Sequence, residues 1–358
     1  MFFAKICETL VFLLKYNKIL LFILTQIVKN AIITEVEKCG KILALRVYFP
    51  CVRTDGGKGM NSKKILVIGS ANADLVIGCA RMPRLGETIV GEGFSVGAGG
   101  KGLNQAVAAK KLGGEVSFVC SLGRDSNADM LRARLDSYGV SFKGVYCDTL
   151  NTGCAMITVV GGDNFIILDE GANKALTPDV IENVRGLIAE ADILMMQYEI
   201  PAESIIRAAD IAKEYGTKVV VNPAPFKELP RDFYGKVDVL VPNEHEADAL
   251  CAIYPADEQS SRAALDAILS LGVKQAVITL GERGCVYNEG GKAVFCPALK
   301  TKAVDTTSAG DSFIGALCVS ICEGKSLEES IKYATKVSSI TVSRHGASDS
   351  IPYADEVK

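Results

Sequence analysis

The chain has 358 residues, with 39 Lys and Arg against 42 Asp and Glu, a net charge of −3 and 49% hydrophobic residues. That length suffices for one large or two modest domains with a buried core, and the near balance of charge argues against a bulk electrostatic grip on nucleic acid. His245 and His345 are the only two histidines, which rules out a His-rich metal centre; 12 cysteines with no C-x-x-C spacing point to reduced thiols in a cytoplasmic protein, not a secreted disulfide scaffold.

Residues 1–60 differ from the rest. They carry nine basic and four acidic residues (+5), which leaves −8 for the remainder. The apolar stretch 10–28 is broken by Lys15, Asn17, Lys18 and Gln26, whereas a membrane span needs roughly 20 apolar residues. A secretory signal fits poorly, because Glu8 and the lysines interrupt the apolar centre and Ala-x-Ala is missing. Gly56-Gly57-Lys58-Gly59-Met60 back-translates to a run that accommodates GGAGG seven nucleotides before ATG, the layout of a bacterial ribosome-binding site and start codon. The expectation is a native start at or near Met60, with residues 1–59 a translated leader, so that the chain divides into 1–60 and a working domain over 61–358.

From residue 61 the pattern is regular. Residues 64–69 form a short apolar run closed by Gly, the pattern of a buried first strand. Similar runs follow at 116–121, 192–197, 218–222, 238–241 and 275–280. Between them lie helix-length amphipathic segments at 102–112, 127–138, 178–189, 202–215, 261–271, 312–322 and 327–342. Thr177-Pro178 and Tyr215-Gly216 supply start and stop signals. This alternation predicts an α/β fold whose mostly parallel central sheet is flanked by helices on both faces. Two zones, about 77–96 and 145–170, break the rhythm with Gly and alternating residues, and predict a small β-sheet beside the main one.

Two glycine clusters carry the chemistry. Gly97-Ala-Gly-Gly-Lys-Gly-Leu-Asn-Gln-Ala106 matches G-x-G-x-x-G, but a dinucleotide fingerprint should follow the first strand directly, and this cluster comes some thirty residues later. A P-loop is excluded because Gly102, not Ser or Thr, follows Lys101. What remains is either a tight turn before a helix or a polar pocket with close backbone approach, built on Lys101, Asn104 and Gln105. The second cluster, Val304-Asp-Thr-Thr-Ser-Ala-Gly-Asp-Ser-Phe313, opens an apolar helix. Its small residues let successive amides face one point, an arrangement suited to phosphate. Asp311 on that spot is either a helix cap, worth about 1 kcal/mol, or a base within reach of an anion and an attacking hydroxyl.

These two clusters resemble the signatures of the ribokinase-like family of sugar and nucleoside kinases, and the resemblance covers residues 63–353. Gly69-Ser-Ala-Asn-Ala-Asp74, Pro83-Arg-Leu-Gly-Glu-Thr88, Asn222-Pro-Ala-Pro225, Pro242-Asn-Glu-His-Glu246, Ile278-Thr-Leu-Gly281 and Arg344-His-Gly-Ala347 agree with it. The resemblance implies ATP-dependent phosphorylation of a sugar primary hydroxyl, ribose to ribose 5-phosphate first, with deoxyribose, fructose or a nucleoside as alternatives and a non-catalytic sugar-binding regulator as a further rival. It makes Asp311 the base and the amides of Ala309, Gly310 and Asp311 the hole for the γ-phosphate. Asn72, Asp74, Gly100, Lys101, Asn104 and Glu199 match sugar contacts. Asn222, Thr279, Gly281 and Ser308 match nucleotide contacts, and Glu246 a Mg²⁺ stretch. Asp305, Thr307, Thr341, Arg344, Gly346 and Ser350 match a monovalent-cation loop, usually for K⁺. The two irregular zones become a lid that often mates two subunits into a homodimer. This chain departs from the family at Ser308, where Gly is common, at Ile314, where Asn is common, and at Leu103, where Ala is common.

Overall fold

Strand Lys64–Ile68 presents Ile, Leu, Val and Ile in succession, and all four are buried. Successive strand side chains point to opposite faces, so such a run settles only where both faces are covered. Ile65 and Val67 enter one hydrophobic core, Leu66 and Ile68 another. The structure, a computed structural model, describes residues 64–161 and 163–357; the expected leader and the Met60 start lie outside the described residues.

A nine-stranded sheet runs in the order Lys292–Cys296, Cys285–Glu289, Gln275–Thr279, Val239–Leu240, Lys218–Asn222, Ile193–Gln197, Lys64–Ile68, Glu115–Val119 and Ser141–Phe142. The pairings are parallel except at the first edge, where the last two strands in sequence make an antiparallel hairpin. Helices Lys101–Lys111, Ser126–Ser137, Ala309–Cys322 and Leu327–Thr341 bury their apolar faces in one core. Helices Pro178–Asn183, Arg185–Glu190, Ala202–Tyr215 and Glu258–Leu269 fill the other. The α/β expectation holds, and the expected strands fall in place. The single helix expected over 178–189 is two, parted at Val184 (φ −102°, ψ 10°). Helix Glu258–Leu269 starts three residues before the expected 261, because Asp257 and Ser260 close a capping box. Among the described residues no helix is long and apolar enough to cross a membrane.

The small sheet is present, with order Glu92–Gly99, Asn72–Gly78, Gly153–Val160, Asp163–Asp169. It begins at Asn72, five residues before the expected zone, and residues 145–146 pair instead with 121–122. Register sorts its two faces. Val96, Leu75, Met156 and Ile167 lie in one cross-strand row, with Ile77 and Phe165 two residues on. Of that face Val96 is 47%, Met156 55%, Ile167 76% and Phe165 50% exposed. Asn72 and Asp74 alternate onto the opposite face.

The C-terminal loop is pinned from the far end of helix Lys101–Lys111. The Lys111 ammonium donates to the carbonyls of Ser348 (2.8 Å) and Ile351 (2.9 Å) and lies 5.0 Å from the ring centres of both Tyr138 and Tyr353. Burial lowers its pKa.

Candidate active site

Helix Ala309–Cys322 begins where the chain turns inward from exposed Thr306 and Thr307, and its first amides lack partners within the helix. Ser308 stands before it in the left-handed region (φ 60°, ψ 12°), and its side chain does not cap the helix. The expected three-amide hole is reduced to two: the Ala309 amide already donates to the Thr306 carbonyl at 3.2 Å, closing a turn. The Gly310 and Asp311 amides are left to face a ligand, and a side chain at Gly310 would meet nothing within 4 Å, so space is open there.

Asp311 follows, buried. Its Oδ2 accepts from Asn104 Nδ2 at 3.3 Å and its Oδ1 from Gln105 Nε2 at 3.0 Å. Both donors stand on helix Lys101–Lys111, one turn after Lys101 and therefore on its face. That helix opens at Gly100, whose φ of 92° excludes most other residues. Burial acts to lower the Lys101 ammonium, but the charges of Asp311, Glu199 and Glu246 outweigh it and hold the group above its ordinary value.

On the small-sheet side, burial first, then the charges of Glu199 and Asp311, push the Asp74 carboxyl up to about 7. Gly99, the diagonal neighbour of Asp74 on the adjacent strand, lies under its side chain, where any Cβ would overlap that carboxylate. Asn72 spends its Oδ1 on Asn173 Nδ2 (2.7 Å), and Asn173 in turn accepts from the Ala71 amide (3.0 Å). Glu199 accepts from the Lys101 amide (3.1 Å) and from Ser70 Oγ, so it also anchors the start of the helix. Asn173 was not among the expected site residues and had no sequence signal; Ser70 was read only as part of the stretch Gly69–Asp74, and Gln105 only as part of the polar helix opening, with no role given to either.

On the other side of Asp311 lies a cavity of about 690 Å³. Its wall brings together Lys101, Asn222, Glu246, Thr279, Gly281 and the turn Ser308–Asp311, whereas Asn72, Asp74, Gly100, Asn104 and Glu199 are not part of it. Asp311 therefore stands where a group of carboxylates and amides meets a chamber roomy enough for a nucleotide.

The metal expectations fare unevenly. Glu246 is the third residue of helix Glu244–Cys251 and forms a capping box with Asn243, at 2.8 to 3.0 Å in three bonds. Burial raises its pKa, opposed by the Asn243 amide and Lys101. Among the described residues no three His, Cys, Asp or Glu gather as a metal cluster. Carboxylates that line a nucleotide-sized chamber without gathering as a cluster suit an Mg²⁺ ion that keeps its waters and arrives on phosphate oxygens, not one caged by protein. For the K⁺ loop, Asp305 accepts from the amides of Thr307 (2.9 Å) and Gly346 (3.0 Å). Burial raises that carboxyl, but these bonds and the Thr307 side chain prevail and hold it below its ordinary value. Thr341 donates to Val337 in its own helix, Arg344 pairs with Glu356 at 2.7 Å, and Ser350 donates to Ala347. Arg344, itself a cation, cannot ligate one, whereas the Thr341 and Ser350 hydroxyls donate their protons and keep oxygen lone pairs, so a cation there would meet hydroxyls and backbone carbonyls, hard oxygen donors of the right kind.

Comparison with known proteins identifies the family. The family described as pfkB family carbohydrate kinase matches residues 62–354. Ribokinase of Schizosaccharomyces pombe is 43% identical over 305 residues, covering 82% of this chain and 96% of its own. Ribokinase of Haemophilus influenzae is 37% identical over 298 residues, covering 82% and 97%. The structure of Arabidopsis thaliana ribokinase complexed with ribose and ATP superposes with a TM-score of 0.77 at 32% identity, covering 83% of this chain and 98% of that one. The chain belongs to the pfkB family of carbohydrate kinases.

Proposed function

We propose that the protein transfers the γ-phosphoryl group of ATP to the primary hydroxyl, O5, of D-ribose. The observation that carries this reading is the position of Asp311, a buried carboxylate between the small-sheet carboxylates and the chamber, at a helix N-terminus with two unspent amides. Ribokinases at 37% and 43% identity, and a further one at 32% solved with ribose and ATP, support the choice of substrates.

In this mechanism Asp311 takes the proton from O5 as that oxygen bonds to the γ-phosphorus and the bond to the ADP oxygen breaks. The Gly310 and Asp311 amides and the Lys101 ammonium lie where charge collects on the transferred group, the kind of preorganised field that lowers such barriers. Asn72, Asp74, Gly100, Lys101, Asn104 and Glu199 orient the sugar, since each carboxylate or amide can pair with one or two vicinal hydroxyls. Holding hydroxyl and phosphorus in line supplies on the order of 7–11 kcal/mol where the geometry is good. Asn222, Thr279, Gly281, Ser308 and Ala309 shape the nucleotide chamber. Mg²⁺ bound with the nucleotide would lie toward Glu246 and supply neutralisation of the phosphate oxygens. K⁺ would sit at the Asp305 loop. The exposed apolar face of the small sheet supports its reading as a lid and homodimer contact, which a sedimentation measurement on Ile167→Asp tests. The working site is cytoplasmic, in keeping with nine free cysteines among the described residues.

The test is a coupled assay of ADP release with ribose, 2-deoxyribose, fructose and a nucleoside, with the phosphorylated position read by NMR. A preference for any acceptor but ribose sinks the substrate assignment. Asp311→Asn should lower kcat by about 10²–10⁴-fold while ribose still binds by calorimetry; near-normal turnover would remove Asp311 from its role.

A further inference from the structure

Gln105 is fully buried and absent from the cavity wall, yet three of the site's polar groups converge on it. Its Nε2 donates to Asp311 Oδ1 at 3.0 Å and to Asn222 Oδ1 at 3.2 Å, and its Oε1 accepts from Gln197 Nε2 at 2.6 Å. The direction of these bonds is fixed from their ends. Asn222 gives its Nδ2 to the Val241 carbonyl (3.0 Å), which can only accept, so its Oδ1 faces Gln105. An ionised carboxylate also only accepts. With two acceptors on one side, the Gln105 amide has one possible orientation.

The consequence falls on Asp311. Adjacent residues of one helix hold its two oxygens separately, Gln105 on Oδ1 and Asn104 on Oδ2. Two bonds to two oxygens fix the plane of the carboxylate, and each oxygen keeps a second lone pair for a hydroxyl. Through Asn222, which also reaches Glu246 Oε2 at 3.4 Å, the same amide joins the carboxylate to the nucleotide side.

We propose that Gln105 is a positioning residue for phosphoryl transfer, holding the Asp311 carboxylate in the plane from which it takes the sugar proton and tying it to Asn222 in the nucleotide chamber. The proposal rests on the reading of Asp311 as the base. A buried amide that merely satisfies the core would affect stability alone; a positioning amide affects turnover through Asp311.

Gln105→Met keeps the length of the side chain and removes both donors. Its kcat is expected to fall about 10–100-fold, the scale of a misplaced reacting group, with KM for ribose and ATP within about threefold of the parent. Made in addition to Asp311→Asn, it is expected to cost less than about twofold more, because its effect is routed through a carboxylate no longer there. Losses that multiply in the double variant, or a kcat unchanged while the melting temperature drops, overturn the proposal. If Asp311→Asn alone keeps its turnover, the base assignment fails whatever Gln105 does, so the two failures are distinct. Should Gln105→Met lose its cooperative melt, Gln105→Asn, which retains an amide drawn back by one methylene, is judged by the same two criteria.

Discussion

Asp74 allows a sharp test of the site's electrostatics. In the folded protein its carboxyl is pushed up to about 7 from 3.8 by burial, then by Glu199 and Asp311. Between those two values the folded protein holds a proton that the unfolded chain has already released. Stability therefore declines as pH rises through that window and levels off above it. A difference of about 3 units at about 1.36 kcal/mol each sets the size of the effect at about 4 kcal/mol. Asp74→Asn keeps the shape and cannot ionise. Urea unfolding of both proteins should give equal stability near about pH 3, below both pKa values, and a variant more stable by about 3–4 kcal/mol at about pH 8. Parallel stability curves across that range would refute the reasoning, because they would mean that folding leaves the proton on Asp74 where it was.

Three further outcomes follow from the same structure. Lys111→Met strands the Ser348 and Ile351 carbonyls and should cost about 2–4 kcal/mol in thermal or urea unfolding; an unchanged melt contradicts the pinning of the C-terminal loop. Gly99→Ala drives a methyl group into the Asp74 carboxylate and should raise the KM for sugar by about tenfold or more while the KM for ATP holds; equal shifts in both would show that the damage is not local. Asp305→Ala removes the acceptor of the Thr307 and Gly346 amides, and the stimulation of activity by K⁺ should vanish with it. A variant stimulated as strongly as the parent would detach the cation from this loop.

How much of this was readable from the residues depends on where their partners lie. Apolar runs such as 64–68 announce themselves, since a strand covered on both faces has no reason to alternate. That a helix opens behind the small residues near 308–310 was legible from the apolar stretch after them, but its first residue, 309 and not 312, and the loss of the third amide were not, because Ser308 takes a left-handed turn there and commits Ala309 to Thr306. Helix Glu244–Cys251 did carry its signal: Asn243 and Glu246 have capping-box spacing, but Glu246 drew attention as a metal ligand instead. The antiparallel hairpin Cys285–Glu289 and Lys292–Cys296, turned at Gly290-Gly291, also escaped a reading tuned to strand–helix alternation. The contacts of Asn173 and Gln105 lie beyond any local pattern. Their partners are 102 and 206 residues away in sequence, and only the assembled fold brings them within reach.

Strand Asn72–Gly78 belongs to two neighbourhoods at once. Asp74 looks toward the site, and the very next residue, Leu75, lies in the bare row with Val96, Met156 and Ile167. A strand cannot be stiffened on one side and left loose on the other. Whatever covers the outer row narrows the wandering of Asp74, and whatever occupies the space around Asp74 narrows the outer row for its cover. On the homodimer contact proposed above, occupancy of the two faces would be thermodynamically linked, and dilution of the protein is expected to weaken sugar binding with no residue of the site touched.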